Sequence, residues 1–148
     1  MGMIAMFKMA IDASYLVPLI DESHEKHKLA HKMVSGILDS YRLCIPIEEY
    51  GKVFDTFRNC DPETKKKIRE GLMENLTIIA PKNDHVINAL NTFNYYDHKI
   101  SYSDCIILEY LKEREINYII SFDDKWDMVD EIKRVYGLKN RNRLYFPN

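Results

Sequence analysis

KISYSDCIILEYLKEREINYIISFDDKW, residues Lys99 to Trp126, is the stretch from which the fold is read. Behind Asp104, the residues Ile107, Leu108 and Leu111 recur at helical spacing. After the turn residue Asn117, Tyr118 to Phe122 is a short apolar run. The stretch therefore predicts a helix, a turn and a buried strand, with Asp104 in the first helical turn and Asp123 and Asp124 just past the strand. In an open α/β sheet, chemistry gathers in the crevice outside the carboxyl ends of the strands, so an acid at Asp123 stands where work is done. Each acid also has a purely structural use. Ser101 and Asp104 are spaced as a capping box, and an acid in the first turn suits the helix dipole by roughly 0.3–1 kcal/mol. Asp123 and Asp124 can serve as turn or N-cap residues ahead of a helix expected from Trp126 to Val135.

Toward the N-terminus the arrangement repeats. Phe7 to Ile11 reads as a strand closed by Asp12, followed by Ser14 and a helical stretch, Tyr15 to Ile20. Parallel strands joined by right-handed crossovers would bring Asp12 and Asp123 to one edge of a sheet. Between them lie a polar connection, Asp21 to His27, and a helix over Lys28 to Ser40 with Leu29, Met33, Val34, Ile37 and Leu38 on its apolar face. A strand, Leu43 to Ile47, has Pro46 at its end, and Glu48 and Glu49 open a helix carrying Tyr50, Val53, Phe54 and Phe57. Asp61-Pro62-Glu63 is an N-cap followed by proline at the first helical position, starting a helix that runs to Leu72. Leu76 to Ala80 supplies a further strand, Asp84 to Phe93 a helix with Val86, Ile87 and Leu90 expected inward, and Leu144 to Phe146 a last edge strand. The alternation implies an α/β fold, a three-layer α/β/α sandwich with a central, mostly parallel sheet, in a single domain over residues 1–148.

A chain of 148 residues buries roughly 68–70% of its unfolded surface and needs no staples to fold. A net charge of -2 does not advertise nucleic-acid binding, so attraction for RNA has to come from a local patch or from bound cations. The basic C-terminal residues Lys133, Arg134, Lys139, Arg141 and Arg143 offer such a patch, although a solvated tail is the simpler reading. Cys44, Cys60 and Cys105 form no C-x-x-C pair, which argues against a zinc ribbon and a secreted disulfide framework and for a cytoplasmic location. No apolar run is long enough to span a membrane. Neither G-x-G-x-x-G nor a Walker loop occurs, which disfavours nucleotide-binding α/β folds. His24, His27 and His31 are spaced to share one helix side, but no cysteine or carboxylate completes a zinc set, and they are read as ordinary surface histidines.

With these elements in place, the chain resembles the PIN-domain family, metal-dependent nucleases that include the VapC toxins of prokaryotic toxin–antitoxin pairs. The resemblance covers nearly the whole chain and rests on MAIDASYLVPLI (Met9 to Ile20), ISYSDCIILEYLKE (Ile100 to Glu113) and YIISFDDKW (Tyr118 to Trp126), which look like the family's first, third and fourth acidic motifs. It places Asp12, Asp104 and Asp123 on the motif acids, and Ser14 and Ser121 on the hydroxyl positions that accompany the first and fourth. The second motif departs. Where the family has its second acid, a turn into the helix after the second strand, IPIEEYGKVF presents Gly51 and Lys52, with Glu48 and Glu49 about one turn earlier. Either could reach the site, and Glu49 is slightly favoured; Asp97 and Asp124 are reserve acids.

What the resemblance implies is a divalent-metal-dependent endoribonuclease, with RNA as substrate and an antitoxin protein as partner; the aromatic helix from Tyr50 to Phe57 and the Phe93-Asn94-Tyr95-Tyr96 segment offer contacts for a homodimer or an antitoxin, with core packing an equally good reading. Carboxylates sharing an ion repel one another by about 4 kcal/mol per pair at ~4 Å and an effective dielectric near 20, so such a cluster calls for a cation. Mg²⁺ or Mn²⁺, which take oxygen ligands and keep several waters, suit Asp12, Asp104 and Asp123 better than zinc does, with Ser14 and Ser121 orienting the carboxylates. The displaced second acid motivates an alternative, a catalytically silent PIN-like module that binds RNA or protein. A phosphoaspartyl protein is a third class; the haloacid-dehalogenase type wants a second Asp two residues after the first, where this chain has Ser14.

Overall fold

The computed structural model describes residues 7–38, 41–140 and 143–147. Five strands, β1 (Phe7–Ile11), β2 (Tyr41–Pro46), β3 (Leu76–Ile79), β4 (Tyr118–Ile120) and β5 (Lys133–Val135), form one sheet in the order β3-β2-β1-β4-β5, every pair parallel. Among the described residues six helices flank it: α1 (Ala13–Ile20), α2 (His27–Leu38), α3 (Ile47–Thr56), α4 (Pro62–Asn75), α5 (Asn83–Tyr95) and α6 (Tyr102–Glu113). The mostly parallel α/β architecture expected from the alternation is the one observed.

Successive strand residues point to opposite faces, and this splits the core in two. Met9, Ile11, Leu43, Ile45 and Ile120 pack with α1, α2 and α4 on one face, whereas Ala10, Cys44, Ile79 and Ile119 pack with α6 and its neighbours on the other. Chain growth reverses between β1 and β4, which pair as Ala10 with Ile119 and Ile11 with Ile120. A topological switch point of this kind leaves a crevice beyond the strand ends. Asp12 follows β1 there and Ser121 follows β4, with the Asp12 N–H bonded to the Ile120 carbonyl at 3.2 Å.

Three expectations are corrected. Trp126 to Val135 is not a helix: a short 3-10 helix, Asp124–Met128, leads instead into β5. The Lys133 N–H bonds to the Asn117 carbonyl and the Ser121 N–H to the Val135 carbonyl, so the sheet claims this segment's backbone groups while Trp126, Val129 and Ile132 fill the second core. Secondly, Val86, Ile87 and Leu90 face solvent, 41%, 69% and 51% exposed. α5 meets α6 instead through His85, which hydrogen-bonds Glu113, through the small Ala89, and through Thr92, whose hydroxyl donates to Glu109 at 2.6 Å. Thirdly, the C-terminal strand is Arg143–Leu144 (β7), paired antiparallel with Leu138–Asn140 (β6) in a separate ribbon rather than on the edge of the main sheet. Ser40, the expected end of the second helix, and Arg141 lie outside the described residues. No helix among the described residues is long and apolar enough to cross a membrane.

Candidate active site

Asp12 is 1% exposed and is held by neutral donors alone. Ser14 Oγ donates to its Oδ1 at 2.6 Å; Ser121 Oγ, at 2.6 Å, and the Trp126 indole N–H, at 3.1 Å, both donate to Oδ2. The two hydroxyl oxygens are 3.0 Å apart, so with Asp12 ionised both protons point at the carboxylate and none is shared between the serines. Each serine also accepts from the loop after β4: Ser14 from the Phe122 N–H, which ties the ends of β1 and β4 together, and Ser121 from the Asp123 N–H within the loop. Burial raises the Asp12 pKa above its ordinary 3.8; the bonds from Ser121, Ser14 and Trp126 oppose this, and nearby Glu49 adds to it. Oδ2, with two donors, is filled, whereas Oδ1 keeps a lone pair for another partner.

α3 delivers the second acid. Its first turn carries Glu48 and Glu49 on different sides of the helix. Glu48 Oε2 accepts from the Tyr110 hydroxyl at 2.8 Å and so serves the packing of α6. Glu49, 2% exposed, turns to the switch point: Oε1 accepts at 3.2 Å from the Ala13 N–H, the first of the four N–H groups that a helix leaves without internal partners. Glu49 Oε2 is buried and is paired with the Lys52 ammonium, Nζ lying 2.6 Å from it. Burial pulls the Lys52 ammonium pKa down, but Glu49, with Asp104 and Asp12 behind it, more than reverses this and leaves it raised.

Asp104 and Asp123 meet through a lysine. The capping of α6 is done by Ser101, whose Oγ accepts the Asp104 N–H at 3.1 Å, and this leaves the Asp104 carboxylate free to face Lys125. Lys125 Nζ stands 3.2 Å from both Asp104 oxygens and 3.8 Å from Asp123 Oδ2. Asp123 caps the 3-10 helix by accepting the Lys125 N–H at 3.0 Å, so its structural use is real alongside any other. The reserve acids stay outside: Asp124 is exposed, and Asp97 is an exposed turn residue at φ 54°. His24 and His27 spend ring nitrogens on the Lys26 N–H and the Pro18 carbonyl. Among the basic C-terminal residues, Arg134 is committed to Asp127 through two bonds of 2.8 and 2.9 Å.

Among the described residues, no three His, Cys, Asp or Glu side chains converge into a ready-made metal cage. The donors nevertheless suit a hard divalent ion. They are all carboxylate oxygens, Asp12 Oδ1 has a free lone pair, and the cation paired with buried Glu49 is Lys52, whose side chain is half exposed on a flexible stem. The self-repulsion expected of the carboxylates is offset by Lys52 and Lys125. Trp126, Lys125 and the pairing of Lys52 were not foreseen as parts of the site. Only the last left a sequence signal, the helical i, i+3 spacing of Glu49 and Lys52.

A parallel sheet with Asp12 and Glu49 at its switch point, and Asp104 and Asp123 facing a shared lysine, defines the class, and the sequence agrees: residues 9–132 match the PIN domain family model, and the chain belongs to that family. Its fold is similar to that of Mycobacterium tuberculosis VapC20, a sarcin–ricin loop cleaving toxin, with a TM-score of 0.67 at 12% identity over 84% of this chain and 96% of that one. It is similar also to a chain of a toxin–antitoxin complex from Klebsiella pneumoniae, with a TM-score of 0.63 at 14% identity over 84% of this chain and 94% of the other. None of the curated proteins matches the sequence significantly.

Proposed function

We propose that this protein is a divalent-metal-dependent endoribonuclease that hydrolyses RNA phosphodiester bonds in the cytoplasm, as the toxin of a toxin–antitoxin pair. The observation that carries the reading is Asp12, a buried carboxylate fixed by three neutral donors with a lone pair left on Oδ1, standing beside a second buried carboxylate, Glu49. Two buried carboxylates side by side cost folding free energy and are kept where they bind or react. Asp12, Asp104 and Asp123 would hold Mg²⁺ or Mn²⁺, which when bound polarises the phosphodiester and lowers the pKa of an attacking water. Ser14, Ser121 and Trp126 fix the Asp12 carboxylate, and Glu49 would accept the proton of the attacking water. An antitoxin partner is proposed by likeness to the Klebsiella complex, and the working assembly is proposed to be a homodimer.

The test is cleavage of a mixed single-stranded RNA panel with Mn²⁺, with Mg²⁺ and with chelator, comparing wild type with Asp12→Asn and Asp104→Asn. Metal-dependent cutting lost in both variants supports the reading. The silent binding module is favoured by one observation, the lack of three converging ligands among the described residues. It prevails if no lane is cut and no metal raises the melting temperature.

A further inference from the structure

Lys125 is built into the acid site in a way the nuclease reading does not require. Its backbone N–H is pinned by Asp123, its ammonium lies 5.0 Å from the centre of the Trp126 ring, and its side chain is only 24% exposed. At 3.2 Å from both oxygens of Asp104 it is symmetrically placed, yet the distance is long for a charge-assisted hydrogen bond, which typically spans about 2.7–2.9 Å. The second carboxylate, Asp123 Oδ2, is farther still at 3.8 Å. Arg134 gives the contrast within the same chain, forking onto Asp127 at 2.8 and 2.9 Å as a fixed structural pair does. Lys125 is a point charge on a four-carbon stem, held between two carboxylates and locked to neither.

Resting on the metal-dependent reading above, we infer that Lys125 is the removable counter-ion of the acid site: its ammonium neutralises Asp104 and Asp123 in the metal-free protein and must give way when a divalent ion binds. The metal-free chain is thereby relieved of carboxylate repulsion, and metal affinity is held lower than the carboxylates alone would set it. The charge of Lys125, rather than its length, is the operative feature.

The experiment titrates Mn²⁺ calorimetrically into wild type, Lys125→Met, Lys125→Gln and Lys125→Arg without RNA, with melting curves to establish that each variant folds. The two neutral variants are expected to bind Mn²⁺ about tenfold tighter than wild type, as removal of one partly screened unit charge allows, while Lys125→Arg stays near wild type. Binding by the neutral variants where wild type shows none supports the inference in its strongest form. Equal or weaker binding in the neutral variants overturns it, and if the wild type still cuts RNA with Mn²⁺, the nuclease reading stands without it. Absence of Mn²⁺ binding in every folded variant, with no RNA cutting by wild type, overturns both.

Discussion

Asp12 and Asp104 sit at one edge of one sheet and are held in opposite ways. Asp12 is fixed by three neutral donors from Ser14, Ser121 and Trp126, while Asp104 faces a single charged one, Lys125. Neutral donors orient a carboxylate without cancelling its charge, so they stay in place when a cation arrives; an ammonium does cancel it and competes with that cation. The site thus combines one permanently aimed oxygen with others whose partners are exchangeable.

The sharpest way to break this contrast is Asp12→Asn, expected to lower metal-dependent RNA cutting by at least about 100-fold, since even outer partners of metal ligands are worth 10–100-fold. Trp126→Phe keeps the ring and removes one donor, with an expected loss of roughly tenfold in cutting. Because burial already raises the Asp12 pKa and the indole bond opposes that rise, the acid limb of the pH–rate profile should move to higher pH in this variant. Stability runs with a different sign at two acids. The folded pKa of Asp12 exceeds the unfolded one, so its ionisation weighs against the fold, and that burden is relieved as pH falls through its folded value. Asp127, held below its ordinary 3.8 by the Arg134 hydrogen bonds, contributes stability above that value and loses it as pH falls through its lowered one. Arg134→Met should therefore flatten the acid side of a plot of melting temperature against pH.

Ser101→Ala separates capping from charge at Asp104. Loss of the cap should cost about 1 kcal/mol in denaturant unfolding, while Asp104→Asn leaves the cap intact and abolishes the metal-induced rise in melting temperature. The smallest effect is expected far from the acids. Ile87→Lys and Leu90→Lys, on the outward face of α5, should change stability by no more than about 0.5 kcal/mol.

That last pair marks where the sequence misleads. Val86, Ile87 and Leu90 form the apolar stripe that periodicity selects, yet α5 buries the side bearing His85 and Ala89, because a small residue and a hydrogen-bonded histidine let it lie close to α6. Periodicity measures where apolar residues are, and not how near the neighbouring helix comes. Trp126 to Val135 fails for a related reason: its last three residues owe their strand to a place beside β4 that only the assembled sheet offers. In contrast, β1 has the bounds its residues predict, and Asp61 accepts the Thr64 N–H as its cap-proline signal implies, because those choices are made locally. Asp12 and Asp123 were legible as residues just past strand ends, and Asp104 as one in the first turn of a helix. Choosing between Glu48 and Glu49 needed the helix phase, and the lysines and the indole that surround the acids needed three dimensions.

Trp126 is the single tryptophan of the chain, and its ring borders both Asp12 and Lys125. The site therefore carries its own chromophore. Ultraviolet emission excited selectively at the indole comes from this one place, and departure of the ammonium from above the ring would alter its colour or yield. Occupancy of the acid cluster can thus be followed in the unlabelled protein by intrinsic fluorescence.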